Sequence, residues 1–407
     1  MSLILRIALA VGIVGLGILA GSVVTEKAKR LRYAMSLFSG QEQYENFAQV
    51  TTLFPVSTVT ASSEPFVWVE GPAITLPETF SSANGIQSTA NFLSETDTVA
   101  LMVLRDGQIR FERYWLTGSR DGVWPSWSVA KSFVSALIGI AVDEGLIEGI
   151  NDPITTYLPA LEKSGYAGVS IKDILQMSSG ARWDEDYSRF NSDINRLGRV
   201  LALGGSLDKF VSSIDADLPP GTFNRYNSAD TQVLGQLLVA VTGQSLTDYM
   251  QTRLWEPLGA QMNGYWLLDD KGMEMAFAGF HATARDYALL GELYRQNGRW
   301  RDRQIVPEAW VNASLAADAP HLLPGDNPAS NNQFGYGYQW WLLGGDDNDF
   351  TAMGVYNQFV YVNPAKGTVI VKLSANSDFG VTDDQSSYRD QETIALFRAI
   401  ANNLDKE

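Results

Sequence analysis

The chain has 407 residues, 45% apolar and 19% charged, a composition that folds around a core and excludes disorder. Its 46 acidic and 30 basic side chains leave a net charge of −16, which excludes a nucleic-acid partner, because phosphates are neutralised by a surplus of Lys and Arg. No cysteine and two histidines exclude a disulfide framework, a thiolate nucleophile and an H-E-x-x-H zinc helix, so neither metal nor cofactor is expected.

The first element is the apolar run "IALAVGIVGLGILAGSVV", Ile7 to Val24. At ~1.5 Å per residue it reaches about 27 Å, enough for a thin hydrocarbon core and longer than a signal-peptide apolar region. It predicts a membrane anchor or uncleaved signal within residues 1–30, although Ala20-Gly21-Ser22 leaves room for cleavage. Arg6 precedes the run and Lys27, Lys29, Arg30 and Arg32 follow it, a balance that taken alone keeps the main domain cytoplasmic. Residues 31–92 predict an extended linker, rich in Ser, Thr and Pro from Pro55 onward and without helical periodicity.

The body opens with Val99–Leu104 and Gln108–Leu116 around Asp106-Gly107, a hairpin signal. Next comes "WPSWSVAKSFVSALIGIAV", Trp124 to Val142, whose helix is apolar nearly all round and therefore predicted to be buried. Further helices are expected at 170–177, 229–242, 245–254 and 283–296. Strand character returns in "YGYQWWLL", "QFVYVNP" and "TVIVKLSA", with "NPAKG" as the turn between the last two, and a helix over 388–404 ends the chain. The order predicts a mixed α/β (α+β) fold: a sheet built from both chain ends (93–130 and 297–407), flanked by helices, with an all-helical subdomain (131–296) inserted.

No G-x-S-x-G elbow is present, and both histidines lie far along the chain. An activated serine therefore needs another base. Ser128 and Lys131 are one helical turn apart, so the hydroxyl faces the amine. Burial lowers a lysine's pKa and lets it be neutral near pH 7, and a helix N-terminus favours charge developing on the serine. The competing reading is a helix cap followed by a surface charge. Ser206-Leu207-Asp208-Lys209 has the same spacing and reads as such a cap. Tyr226, inside "LPPGTFNRYNSAD", adds a phenol able to serve as general base or acid.

With "WSVAKSFVSALIGIAVDEGLI", "IKDILQMSSG", "PPGTFNRYNSADTQVLGQLL", "ATARDYALLG" and "GYGYQWW" in this order, the chain from about 90 to 405 resembles the penicillin-recognising serine hydrolases. These comprise class C β-lactamases, DD-peptidases, related esterases and 6-aminohexanoate-dimer (nylon oligomer) hydrolases, and the chain is most similar to the last branch. The resemblance implies a β-lactamase/transpeptidase-like fold, with Ser128 as nucleophile, Lys131 as its proton partner and Tyr226 as second base and acid toward the leaving group. It implies an oxyanion hole from the N–H groups of Ser128 and Val355, with Gly354 beside it. Ser228 would bond Lys131 or the substrate, or else only cap a turn. Tyr187, in "WDEDY", would contact the substrate, or else sit in an acidic solvent loop. His281 would line the cleft, or else support a helix start. A basic residue is missing from "AMGVYNQFVYV", where lactamases anchor a carboxylate, and Lys163-Ser164-Gly165 stands too early to replace it.

The expected activity is hydrolysis of carboxylic esters or linear amides through an acyl-serine, with a small-molecule substrate. The alternatives are a cell-wall DD-peptidase or weak β-lactamase, and a membrane-tethered binding protein without activity. Relatives with an apolar leader are generally exported, which favours a single-pass inner-membrane protein with its catalytic domain in the periplasm over the cytoplasmic orientation.

Overall fold

Asp106 (φ 49°) and Gly107 (φ 75°) both take the left-handed backbone, the geometry that matches the twist of a two-residue hairpin. The hairpin they close belongs to an eight-stranded sheet in the computed structural model, which describes residues 28–30, 32–33, 36–38, 43–382 and 386–404. Its strands are β1 (Val69–Glu70), β2 (Thr98–Arg105), β3 (Gln108–Tyr114), β4 (Gly335–Tyr336), β5 (Trp341–Leu342), β6 (Phe350–Gly354), β7 (Gln358–Asn363) and β8 (Thr368–Ser374). Their spatial order is β4-β5-β6-β7-β8-β2-β3-β1. The pairs are antiparallel except β1 beside β3. β8 lies against β2, so the two ends of the chain join inside one sheet.

β2, β7 and β8 are nearly continuous apolar runs because both sheet faces are covered. Met102, Leu104, Val360, Val362, Val369 and Val371 pack into the large core. Their alternates Leu101, Val103, Phe359, Tyr361 and Ile370 pack against Ile394, Phe397 and Ile400, the period-2 split of a pleated strand. The latter three residues lie on the C-terminal helix Asp390–Leu404. On the opposite face lies the helix Ala284–Arg295, where a Cβ on Gly291 would stand 2.6 Å from Val369 and 2.8 Å from Val360. That close approach moves this helix out of the helical subdomain expected over 131–296 and onto the sheet.

Residues 43–92 differ from the extended linker expected over 31–92. Gln43–Phe47 and Val50–Leu53 are helical, and Thr79–Ser82 pairs with Gly85–Ser88. Val56–Val59 joins a four-stranded sheet with Gly264–Leu267, Phe280–Ala282 and Trp124–Pro125. These strands are short, and Val56–Val59 finds its partner Gly264–Leu267 only far along the chain, so no local periodicity marks them. The predicted anchor, Ile7 to Val24, lies outside the described residues. Among the described residues no helix is long and apolar enough to cross a membrane.

Candidate active site

The four-stranded sheet sets the position of the serine. Trp124–Pro125 pairs with Phe280–Ala282, and the Ser126 N–H donates to Phe280 O (2.8 Å). The chain then turns sharply, with Trp127 at φ 43°, a conformation that costs a bulky residue roughly 1–3 kcal/mol. The Trp127 ring is held by Phe47 (5.3 Å between centroids) and Tyr356 (5.8 Å). Ser128 follows in a short 3₁₀ turn that runs into the helix Ala130–Asp143.

Residues 130–141 of that helix are all buried, as its all-round apolar pattern predicts, and Lys131 is buried with them. Its Nζ lies 2.9 Å from Ser128 Oγ, 3.2 Å from Ser228 Oγ and 2.8 Å from the carbonyl oxygen of Phe277. Burial lowers the amine to about pKa 7, against a smaller upward pull from the Glu185 carboxylate. A neutral amine has two N–H bonds and one lone pair. With N–H bonds to Phe277 O and Ser228 Oγ, its third position faces Ser128 Oγ, a donating N–H while the amine is protonated and the accepting lone pair once it is neutral. The duplicate spacing at 206–209 shows the contrast. Ser206 accepts from the Lys209 N–H as a helix cap, and Lys209 is exposed.

Tyr226 stands over this pair. Lys131 Nζ lies 5.1 Å from the centre of its ring, and the ring stacks on Trp341 (5.1 Å). Burial drives the phenol well above its ordinary pKa, Glu185 adds to the rise, and hydrogen bonding with Ser128 opposes it. Tyr226 thus stays protonated across the neutral range, beside the serine oxygen.

Ser228 opens the helix Ser228–Thr242, which Asn227 caps by accepting from the Ala229 N–H. The Ser228 hydroxyl donates to Glu185 Oε1 (2.7 Å), and its backbone N–H donates to Oε2 (3.1 Å). Tyr187 donates to the same carboxylate (2.7 Å), as does Trp183 through Nε1. The Tyr187 ring packs edge-on against Phe379 (6.1 Å). "WDEDY" is therefore folded over the site, and it brings Glu185, which the residue pattern alone does not single out. Phe277 was missed for a simpler reason: it contributes a carbonyl oxygen, and backbone groups leave no mark in sequence.

β6 ends at Gly354 beside the nucleophile turn. A Cβ there would stand 2.5 Å from Ser126 O and 3.0 Å from Ser128 N, so only glycine lets the strand approach so closely. Val355 follows, its carbonyl accepting from the Gln358 side chain (3.1 Å). Tyr356 and Asn357 then turn the chain at φ 64° and 65°, and Asn357 donates to Tyr388 O (2.7 Å). His281 is held apart from this group. It is buried in the four-stranded sheet with Nδ1 3.0 Å from Gly279 O, and burial lowers it to about pKa 4. No hydrogen bond among the described residues joins it to Ser128, Lys131 or Tyr226. Among the described residues no cluster of His, Asp and Glu could hold a metal ion.

Comparison with known proteins gives the family and the fold. The family model described as Beta-lactamase matches residues 90–393. A 6-aminohexanoate-dimer hydrolase from Paenarthrobacter ureafaciens is 29% identical over 359 residues, covering 84% of this chain and 88% of that protein. A solved structure of a putative 6-aminohexanoate-dimer hydrolase from Bacillus anthracis superposes with TM-score 0.80 at 21% identity, over 91% of this chain and 96% of its own. A family VIII carboxylesterase superposes with TM-score 0.56 at 14% identity, over 77% and 94%. At these identities the two superpositions speak for the fold.

Proposed function

Since the chain belongs to the Beta-lactamase family and is a serine hydrolase, we propose that it cleaves carboxylic esters or unstrained linear amides of small molecules through an acyl-serine intermediate. The observation that carries this reading is the buried Lys131 amine 2.9 Å from Ser128 Oγ. Lys131 takes the hydroxyl proton as Ser128 Oγ bonds to the carbonyl carbon. The oxyanion so formed faces the N–H groups of Ser128 and Val355, donors that typically contribute a few kcal/mol each. Tyr226 gives its proton to the departing alcohol or amine and is reprotonated from Lys131. Water then attacks the acyl-serine by the reverse route, losing its proton as Ser128 regains its own. Tyr187, Ser228 and Gly354 border the substrate.

The 6-aminohexanoate-dimer hydrolase resemblance supports linear amides as one substrate class. For a β-lactam or cell-wall peptide the site lacks an obvious partner for the substrate carboxylate. Lys163 lies in an exposed turn of the helical part, and no basic side chain occurs from Phe350 to Asn363. The apolar run Ile7 to Val24 supports tethering; the flanking charges favour a cytoplasmic domain, and the export of relatives with an apolar leader favours one facing the periplasm, the orientation proposed here. A carboxyl-terminal phosphatase or fluorescent-protein fusion tests that placement: phosphatase activity without fluorescence supports it, and the converse overturns it.

The test of the chemistry is Ser128→Ala, assayed against p-nitrophenyl esters, linear amides and aminohexanoate oligomers, with circular dichroism to confirm folding. Loss of all turnover is expected. Unchanged turnover refutes the assignment.

A further inference from the structure

Glu185 carries more polar contacts than an exposed loop acid requires. Each carboxylate oxygen accepts twice: Oε1 from the Ser228 hydroxyl and Tyr187 OH, Oε2 from the Ser228 N–H and Trp183 Nε1. Saturated in this way, it has little left to offer a substrate. The Ser228 hydroxyl, having given its proton to Glu185, can only accept from Lys131. Lys131 therefore donates to Ser228, and Ser228 donates to Glu185. With its other N–H on Phe277 O, the amine turns its remaining position to Ser128 Oγ, an N–H when protonated and the lone pair when neutral.

We propose that Glu185 is a positioning residue of the Ser128–Lys131 pair: by orienting the Ser228 hydroxyl it turns the Lys131 lone pair toward Ser128, and its negative charge faces the amine from the far side. The proposal rests on the serine-hydrolase reading above. Glu185 does not touch the reacting atoms, so its effect passes through Ser228.

The groups around Lys131 can be named from each packed element. Ser128 lies on its own segment, Ser228 at the start of the neighbouring helix, Phe277 O before the Phe280–Ala282 strand, and the uncharged Tyr226 above. Asp230, in the first turn of the Ser228 helix, accepts instead from Tyr166, Ser179 and Asn227. Glu185 is thus the carboxylate whose charge acts on Lys131, and it acts to raise the pKa.

The experiment is the pH dependence of kcat/KM for a p-nitrophenyl ester in wild type, Glu185→Gln and Trp183→Phe, each checked for folding. Wild type should show an acidic limb near pH 7, where Lys131 loses its proton. Glu185→Gln removes the charge while keeping the shape. It should move that limb to lower pH by roughly half a unit or more, and lower the plateau through misorientation of Ser228. Trp183→Phe withdraws one donor and leaves the charge, so its limb should stay in place. A limb unmoved in Glu185→Gln, or moved equally in Trp183→Phe, overturns the proposal even if activity falls. Failure of the underlying reading looks different, because Ser128→Ala would then keep its turnover.

Discussion

Replacing Lys131 with Met should remove hydrolysis and change how stability responds to pH. The side chain is buried, and its pKa is lowered from 10.5 to about 7. At ~1.36 kcal/mol per pKa unit, a 3.5-unit gap means that stripping the proton opposes folding by about 5 kcal/mol near pH 7. Between pH 7 and 10.5 the unfolded chain holds this proton and the folded chain does not. Wild-type stability therefore rises with pH across that window, by up to ~1.4 kcal/mol per unit, and the contribution is flat outside it. Met carries no such term. It does leave Phe277 O and Ser228 Oγ short of a donor, costing ~1–3 kcal/mol each, but those losses do not vary with pH. Lys372, also buried and lowered to about 7, titrates alike in both proteins and cancels in the difference. Urea denaturation at intervals from pH 7 to 9.5 should show the stability difference moving in favour of wild type by about 3 kcal/mol. A difference that stays constant across that range would refute a neutral Lys131, and with it the lysine as the acceptor of the serine proton. Ester turnover in Lys131→Met should fall by ~10³-fold or more.

Tyr226→Phe should lower kcat for linear amides by ~10²–10³-fold and for p-nitrophenyl esters much less, because nitrophenolate leaves without a proton; equal losses on both would remove Tyr226 as the leaving-group acid. Gly354→Ala should lower kcat by ~10²-fold with little change in KM, because the new methyl group meets backbone atoms of the nucleophile turn, Ser126 O at 2.5 Å and Ser128 N at 3.0 Å. Its cost in stability should be ~1–3 kcal/mol, and wild-type kinetics would show that the strand edge tolerates the intrusion. Ser206→Ala, at the duplicate spacing, should lose only its cap on the Lys209 N–H, lowering stability by ~1 kcal/mol without touching hydrolysis; a loss of activity there would contradict the division between the two copies.

What the sequence discloses follows from the range over which each feature is determined. The Ser128–Lys131 pair is set within one helical turn, and the apolar residues from Phe133 to Val142 already imply the burial that lowers the amine. The hairpin at Asp106-Gly107 and the "NPAKG" turn, with Gly367 at φ 57°, are likewise local. Glu185 is not. In "WDEDY" it stands among residues that belong equally well in solvent, and only the fold carries it to Ser228, 43 positions away. The pairing of Val56–Val59 with Gly264–Leu267 is hidden for the same reason, a four-residue strand in a Ser- and Thr-rich stretch. His281 is legible as a rare residue type open to a cleft or a supporting reading, and the structure buries it in a strand with Nδ1 against Gly279 O.

The site gathers features that each oppose folding: an aromatic residue at positive φ before the nucleophile, a lysine deprived of water, and a strand brought close enough to exclude any side chain at Gly354. Such features persist only where the surroundings leave no alternative. Here the constraints come from three sides. The four-stranded sheet fixes the chain entering the turn through Ser126 N–H to Phe280 O. The rings of Phe47 and Tyr356 hold Trp127. The end of β6, in a sheet buried on both faces, holds Gly354 against Ser128 N. Together they hold Trp127 at its positive φ and Ser128 within reach of the amine. Rigidity behind the serine is therefore what permits an unfavourable lysine in front of it, and the same packing that stabilises the sheet makes that lysine usable as a base.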